Sequence, residues 1–261
     1  MPNPTTVIID EPAERVLRIT LDRPPVNALG RDTCAELAAA ARRVAGRTDV
    51  CCVVLAGRGK VFCAGADLKE RAGMSDDEVK AAVLGIREAV DAVAAIPAPT
   101  IAVLHGAALG GGFELALACD LRIAADEAPV GLPECSLAII PGAGGTQRLA
   151  RLAGPACAKR WIFAARVLRA REAIDDGLVD IVGQAESLDE VVFDLARTIA
   201  RCGPVALRAA KRAIDAGLDA GSLAGGMRRE WESYLDVLPT ADRKEALAAF
   251  AEKRPPRFTG R

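Results

Sequence analysis

The chain has 261 residues, of which 51% are hydrophobic, enough to bury a sizeable core within one large α/β domain. A formal net charge of −1 provides no global field to recruit nucleic acid or an anionic membrane surface. Eight cysteines without a Cys-x-x-Cys pair, and a single histidine (His105), argue against a disulfide framework or a metal site and for reduced, mostly buried thiols in a cytoplasmic protein.

The N-terminal MPNPTTVIIDEPAERVLRI has neither a basic n-region nor a continuous apolar h-region, so no signal peptide is expected. No apolar run approaches the roughly 20 residues that span a bilayer. Thr6 to Ile9 and Val16 to Thr20 read as two short strands joined by a polar Glu-Pro turn, with Pro24-Pro25 ending the second. Thr33 and Glu36 have capping-box spacing, which predicts a helix from there to about Val44. Cys51 to Ala56 is a continuous apolar run of strand length, expected to be buried on both faces. A glycine-punctuated loop, Gly57 to Lys69, follows. Ser75 and Glu78 form a second capping box, and Val79, Val83, Ile86, Val90 and Val93 behind it define one helical face. Pro97 and Pro99 stop that helix, and Thr100 to Leu104 reads as a second buried strand.

Gly110 to Gly112 open FELALACD, apolar nearly all round except for Glu114 and therefore a predicted buried helix. Leu121 to Ala125 reads as a strand. Pro141 to Gly145 is a second glycine turn, leading into a helix with Gln147 and Arg148 in its first turn. From residue 155 the pattern is helical over Ala156 to Ala164, Arg171 to Asp176, Leu188 to Arg201, Val205 to Ala216, Ser222 to Val237 and Asp242 to Glu252. The break at Gly203-Pro204 separates a core of residues 1–203 from a helical C-terminal subdomain of residues 204–261. The early strand–strand–helix order predicts an α/β fold with a mixed or spiral sheet, not strict βαβ alternation.

The glycine stretches match no phosphate-binding or nucleophile motif: Gly59-Lys60 precedes valine, GAGGTQ at 142–147 ends in glutamine, and no G-x-S-x-G occurs. They suit an oxyanion site instead. The first N–H groups of a helix lack intrahelical partners and carry partial positive charge, and glycine admits close approach of an oxygen. Gly110 to Gly112 offer one such donor, and the turn Cys63-Ala64-Gly65-Ala66-Asp67 offers a second. Taken alone, the glycine triplet reads as a site of close helix packing. Glu114 sits in an apolar run, where a carboxylate costs several kcal/mol unless paired or functional; alone it reads equally as a structural acceptor for backbone N–H groups. Glu134, in GLPECSLAIIPG, reads alone as an exposed loop residue. Together the two acids beside glycine turns suggest paired acid–base work.

FCAGADLKE (62–70), HGAALGGGFELALACD (105–120) and LPECSLAIIPGAGGTQRL (132–149) resemble the three core motifs of the crotonase (enoyl-CoA hydratase) superfamily. DRPPVNAL (22–29), ARVLRAREAIDDGLVD (165–180) and FAEKRPPRFTGR (250–261) resemble its flanking segments, so the likeness spans almost the whole chain. The resemblance implies a ClpP-like spiral of ββα units with a helical C-terminal trimerisation subdomain, assembled as a homotrimer or dimer of trimers. It implies an oxyanion hole from the N–H groups of Ala66 and Gly111, and Glu114 and Glu134 as the two acids of a hydratase acting on a 2-enoyl-CoA. Ala64, Asp67, Leu68 and Gly110 would join Ala66 in holding the substrate. Lys69 would help bind the CoA nucleotide, and Phe250 and Lys253 would reach a neighbouring subunit's CoA. No resident cofactor is implied, since CoA arrives as part of the substrate. CAGADLKERAGM and EKRPPR are similar to the branch containing methylglutaconyl-CoA hydratase and RNA-binding hydratases, so a branched or acidic acyl group, or isomerisation, is the alternative chemistry. A solvated helix end accounts for Arg42 and Arg43, and no nucleic acid partner is expected. Ala138, Ile139 and His105 depart from common family residues; His105 is read as a neutral core or turn residue, and Cys63 and Cys135 as small apolar packing.

Overall fold

The computed structural model describes residues 5–261; Met1 to Pro4, the start of the segment read for a signal sequence, lie outside the described residues. The strand–strand–helix order appears at once as β1 (Val7–Ala13), β2 (Val16–Leu21) and α1 (Arg31–Ala45). β3 (Cys52–Gly57) leads through the short α2 (Leu68–Arg71) to α3 (Asp76–Ala94), and β4 (Thr100–Leu104) and β5 (Ala108–Leu109) lead to α4 (Gly111–Leu117). Next come β6 (Leu121–Ala125), β7 (Pro129–Gly131), a 3-10 turn over Glu134–Leu137, α5 (Gly145–Phe163), β8 (Val167–Arg169), α6 (Ala170–Ala173) and β9 (Ile181–Gly183). The chain closes with α7 (Leu188–Ala200), α8 (Pro204–Leu218), α9 (Leu223–Val237) and α10 (Ala241–Ala251).

Six strands form one sheet in the order β1-β2-β3-β4-β6-β9, antiparallel at the first pair and parallel thereafter; β5, β7 and β8 form a second. The central strands β3, β4 and β6 are buried along most of their length, which is why they read as unbroken apolar runs. Arg122 on β6, fully buried, donates to the carbonyls of Leu178 and Cys119 and pairs with Asp180 at 2.7 Å, so its charge is compensated where it sits. Helix α8 is fastened to the sheet by Lys211, whose Nζ lies 2.8 Å from Asp120.

Several local expectations are corrected. The first hairpin does not turn at Glu11-Pro12: β1 runs through both residues with an irregular register between Asp10 and Ala13, and the turn falls at Glu14-Arg15, with Arg15 at φ 65°. Pro12 is tolerated because β1 is an edge strand. Thr33 does not cap α1. The cap is Gly30, Thr33 lies inside the helix with its buried Oγ1 unpartnered among the described residues, and Glu36 accepts from the N–H groups of Thr6 and Val7 instead. The Ser75–Glu78 box is present in both directions. The helix expected after the second glycine turn and the one expected over Ala156 to Ala164 are both present, as the two parts of α5 on either side of non-helical Gly154 (φ 80°), whereas that expected over Arg171 to Asp176 contracts to α6.

Candidate active site

The site is assembled by two loops stitched to one another. Asn27, buried at φ 52°, donates through Nδ2 to the carbonyls of Arg58, Val61 and Phe62, while its Oδ1 accepts from Arg23 N–H. This fixes the start of the Cys63 to Asp67 turn. Cys63 N–H then donates to Ala107 and Leu109 N–H donates to Cys63, holding the turn against β5. On its other side the turn bridges Leu29: Leu29 N–H donates to Gly65, and Asp67 N–H donates to Leu29. Alternate N–H groups of an extended segment point to opposite sides, so Ala66 N–H faces away from Leu29. Ala66 N lies close to Gly111, since a Cβ built on Gly111 would be 3.7 Å from it.

Gly110, at φ 52° and ψ −126°, turns the chain sharply from β5 into α4, a conformation reserved for glycine. Gly111 is therefore the first helical residue, and among the described residues neither its N–H nor that of Ala66 meets a backbone carbonyl. The close-packing reading of the triplet holds as well, at Gly112, where a Cβ would fall 2.1 Å from the carbonyl oxygen of Cys63. One glycine of the run is spent on packing and two on the turn and the donor.

Both glutamates line the same cavity of about 700 Å³, together with Ala64, Ala66, Gly110 and Gly111. Glu114 is 3% exposed; its Oε1 accepts from Ala143 N–H at 2.8 Å and Gly145 N–H at 2.7 Å. The second glycine turn thus serves as a cradle for the first acid, and a Cβ on Gly145 would come within 3.0 Å of that oxygen. Burial pushes the Glu114 carboxyl above its ordinary value, opposed by those two N–H groups and by the charges of Arg148 and Arg71. Glu134 is not an exposed loop residue: it is 9% exposed, and its buried Oε2 has no hydrogen-bond partner among the described residues. Burial pushes it up to about 7; a local backbone N–H opposes this, and the Glu114 charge adds to it.

Leu68 also lines the cavity, and with Leu137, Ile139 and Ile140 gives it an exposed apolar rim. Ala138 sits there at φ 58°, a left-handed geometry that glycine adopts more readily than alanine. Asp67 points elsewhere: it caps α2 through the N–H groups of Lys69 and Glu70 and pairs with Arg23 at 2.6 Å. Lys69 is exposed outside the cavity lining. Phe250, 86% exposed near the end of α10, and Lys253 beyond it do not line this chain's own cavity. His105 bonds the carbonyl of Gly59 at 3.1 Å, a turn role, and burial raises the Cys63 thiol to about 12, suiting inert packing. Sequence reasoning missed Asn27 and Arg71. Asn27 lies inside DRPPVNAL, where an asparagine after two prolines was a usable turn signal; Arg71, half-buried in the cavity wall, carried none.

Two unpaired main-chain donors beside two buried carboxylates in an apolar cavity define a site suited to charge developing on a carbonyl or thioester oxygen. A family model described as enoyl-CoA hydratase/isomerase matches residues 11–261. The chain belongs to that family, within the crotonase superfamily. It is 47% identical over 243 residues to an enoyl-CoA hydratase/isomerase of Bacillus subtilis (strain 168), covering 92% of this chain and 93% of the relative. It is 51% identical over 204 residues to the mitochondrial methylglutaconyl-CoA hydratase of Homo sapiens, covering 77% of this chain but only 60% of that protein. The crystal structure of enoyl-CoA hydratase from Bacillus anthracis superposes with a TM-score of 0.95 at 44% identity, over 98% of this chain and 100% of that one.

Proposed function

We propose that this protein hydrates 2-enoyl-CoA thioesters to 3-hydroxyacyl-CoA thioesters. The observation that carries the reading is the convergence of the Ala66 and Gly111 N–H groups in one cavity with Glu114 and Glu134. Water attacks C3 of the enoyl group, its electrons move the double bond toward C1, and negative charge collects on the thioester oxygen. The two N–H groups bind that oxygen more tightly as the charge grows, so they lower the barrier and not merely the energy of the bound substrate. Glu114, whose charged form is favoured by its two backbone donors against the effect of burial, accepts the proton from the attacking water. Glu134, with its carboxyl raised to about 7, keeps its proton at and below neutrality and delivers it to C2 as the enolate collapses. The reaction needs no resident cofactor, since CoA is carried in by the substrate.

We further read the protein as a homo-oligomer, a trimer or a dimer of trimers. Helices α8 and α9 present Ile214, Leu218, Leu223, Met227 and Trp231 to solvent, an apolar surface of the kind that self-association covers. Phe250 and Lys253 then serve a neighbouring subunit's CoA, while Lys69 stays at the nucleotide end of this chain's own site.

Hydration is followed with crotonyl-CoA as loss of the conjugated thioester absorbance. Glu114→Gln and Glu134→Gln are each expected to lower kcat about 10²–10⁴-fold, the usual range for one acid–base group. Wild-type rates in either variant would exclude the two-acid mechanism. A 3-enoyl-CoA offered to the same enzyme separates isomerisation from hydration by its product.

A further inference from the structure

The second glycine turn presents the N–H groups of Ala143 and Gly145 to one oxygen of Glu114. Between those two donors the chain carries two carbonyls, of Ala143 and Gly144, and both are bound by Arg148. The Ala143 carbonyl accepts from Arg148 Nη1 at 2.9 Å, and the Gly144 carbonyl accepts from the Arg148 backbone N–H at 2.8 Å. The guanidinium folds back from the first turn of α5 and lies over Gly144, where a Cβ would fall 2.1 Å from Nη1. Gly144, at φ 105°, leaves open the space that the Arg148 side chain fills.

The other arm of the guanidinium is anchored on α3. Arg148 Nη2 lies 2.7 Å from Asp91, and Arg87 approaches the second Asp91 oxygen at 3.8 Å. By itself this is a partly exposed ion pair joining two helices, worth little in stability. Its placement gives it a further effect. α3 supplies Val79, Val83 and Ile86 to the cavity wall, whereas the lining includes neither Arg148 nor Asp91. Arg148 therefore reaches the reacting atoms only through the turn and through its charge. The influences that oppose burial at Glu114 are, in order, the Gly145 N–H, the Ala143 N–H, the Arg148 charge and the Arg71 charge. The first two are donors that Arg148 brackets, and the third is Arg148 itself. From the other elements around this carboxyl come Arg71 on α2, whose neighbours Asp67 and Glu70 pair with Arg23 and Arg31, and Glu134 on the 3-10 turn. α3 contributes Asp91 and, behind it, Arg87.

We propose that Arg148 is a positioning residue: held by Asp91, it fixes the backbone from Ala143 to Gly145 so that both N–H groups stay on Glu114 and keep its carboxylate aimed in the cavity. Naming Glu114 as the base rests on the hydratase reading; the hold on its carboxyl does not. A lysine at this place would keep a point charge without the planar fork that joins the Ala143 carbonyl to Asp91.

Two readouts on the same variants test this. kcat and KM for crotonyl-CoA are measured across the acid and alkaline limbs of the pH profile. Infrared difference spectra of the carboxyl C=O band, assigned by its loss in Glu114→Gln, follow protonation of Glu114 without turnover. In Arg148→Met both the acid limb of kcat and the Glu114 band should move up by about one pH unit. A base that holds its proton to higher pH is less available on the acid side, so kcat there should fall about tenfold while KM stays within about twofold of wild type. Arg148→Lys should recover part of the displacement. Asp91→Asn should give a smaller displacement of the same sign, and it carries the same test should Arg148→Met fail to fold. Glu88→Gln, removing an acid of α3 that pairs with Arg42 instead, should move neither readout. Urea midpoints establish that each variant is folded. An acid limb and a band left in place in folded Arg148→Met would overturn the proposal. So would a loss uniform across pH, which a loosened fold gives, or a raised KM with unaltered kcat, which would put Arg148 on the ligand. A displaced band in a protein that hydrates no enoyl thioester would sink the hydratase reading and leave the positioning role standing.

Discussion

Glu134→Gln should stabilise the folded protein at pH 8 to 9 and leave it almost unchanged at pH 5, even as it removes activity. The carboxyl has an ordinary value of 4.5 and is raised to about 7 in the folded protein, with burial the largest cause. Between those two values the folded state holds a proton that the unfolded chain has already released. Unfolding free energy must therefore fall with rising pH across that window, and it is fully present below about 4.5. The whole displacement corresponds to about 3 kcal/mol at most, since one pH unit is worth about 1.4 kcal/mol. Because Glu134 lines an open cavity and is not sealed in the core, about 1–2 kcal/mol is the expected size. Urea denaturation of wild type and variant, from pH 4.5 to 9 at one protein concentration, gives the difference curve in which titrating groups other than the interacting Glu114 cancel. The variant should gain stability relative to wild type as pH climbs from 5 to 8 and then level off. A difference that stays flat with pH would mean Glu134 is ionised at neutrality in the folded state, and its role as proton donor to C2 would fall with it.

Three further outcomes test the frame of the site. Gly65 stands at φ 87°, and a Cβ there would lie 2.6 Å from the Leu109 carbonyl and 3.1 Å from Gly111 N. Gly65→Ala should force the two donors apart, costing about 1–3 kcal/mol of stability and about 10²-fold or more in kcat; a variant with unaltered kcat on crotonyl-CoA would remove these N–H groups from the mechanism. Thr33→Val takes away a buried hydroxyl that has no partner among the described residues, so it should be neutral or stabilising by about 1 kcal/mol, read as an unchanged or raised urea midpoint; a clear loss would point to a hydrogen bond there. Phe250→Ala should raise KM for acyl-CoA several-fold, in line with about 0.5–1.5 kcal/mol for one aromatic contact, and more than it lowers kcat; equal KM would detach Phe250 from any subunit's CoA site.

What could be read in the sequence was what is local. The buried strands β3, β4 and β6 announced themselves because both faces are covered, and the Ser75–Glu78 box closes within one helical turn. The same four-residue pattern at Thr33 and Glu36 misled, because Glu36 satisfies the backbone of Thr6 and Val7, a partner some thirty positions away. The strands β5, β7, β8 and β9 run only two or three residues, too short for any periodicity. In the site, the glycine turns and both acids were legible as breaks in apolar runs. Arg71 was not, since a lone arginine in a polar stretch is ordinary until the fold shows that its acidic neighbours are taken. The cradle of Glu114 likewise depends on Gly145 arriving from another loop.

That cradle explains how two identical side chains can take opposite parts in one reaction. Both carboxyls are removed from water, and burial alone would raise both. The difference between them lies in the backbone. Ala143 and Gly145 turn two N–H groups onto one oxygen of Glu114, donors that favour only its charged form. Glu134 receives no comparable pair, keeps an oxygen without a partner among the described residues, and is raised further by the Glu114 charge. Each proton position therefore reinforces the other: an ionised Glu114 keeps Glu134 protonated, and a neutral Glu134 spares Glu114 a second negative charge. In the proposed mechanism a base for water and an acid for C2 would follow from one glycine turn, and the space a Cβ would need at Gly145 in that turn is already held by Glu114 and Pro141.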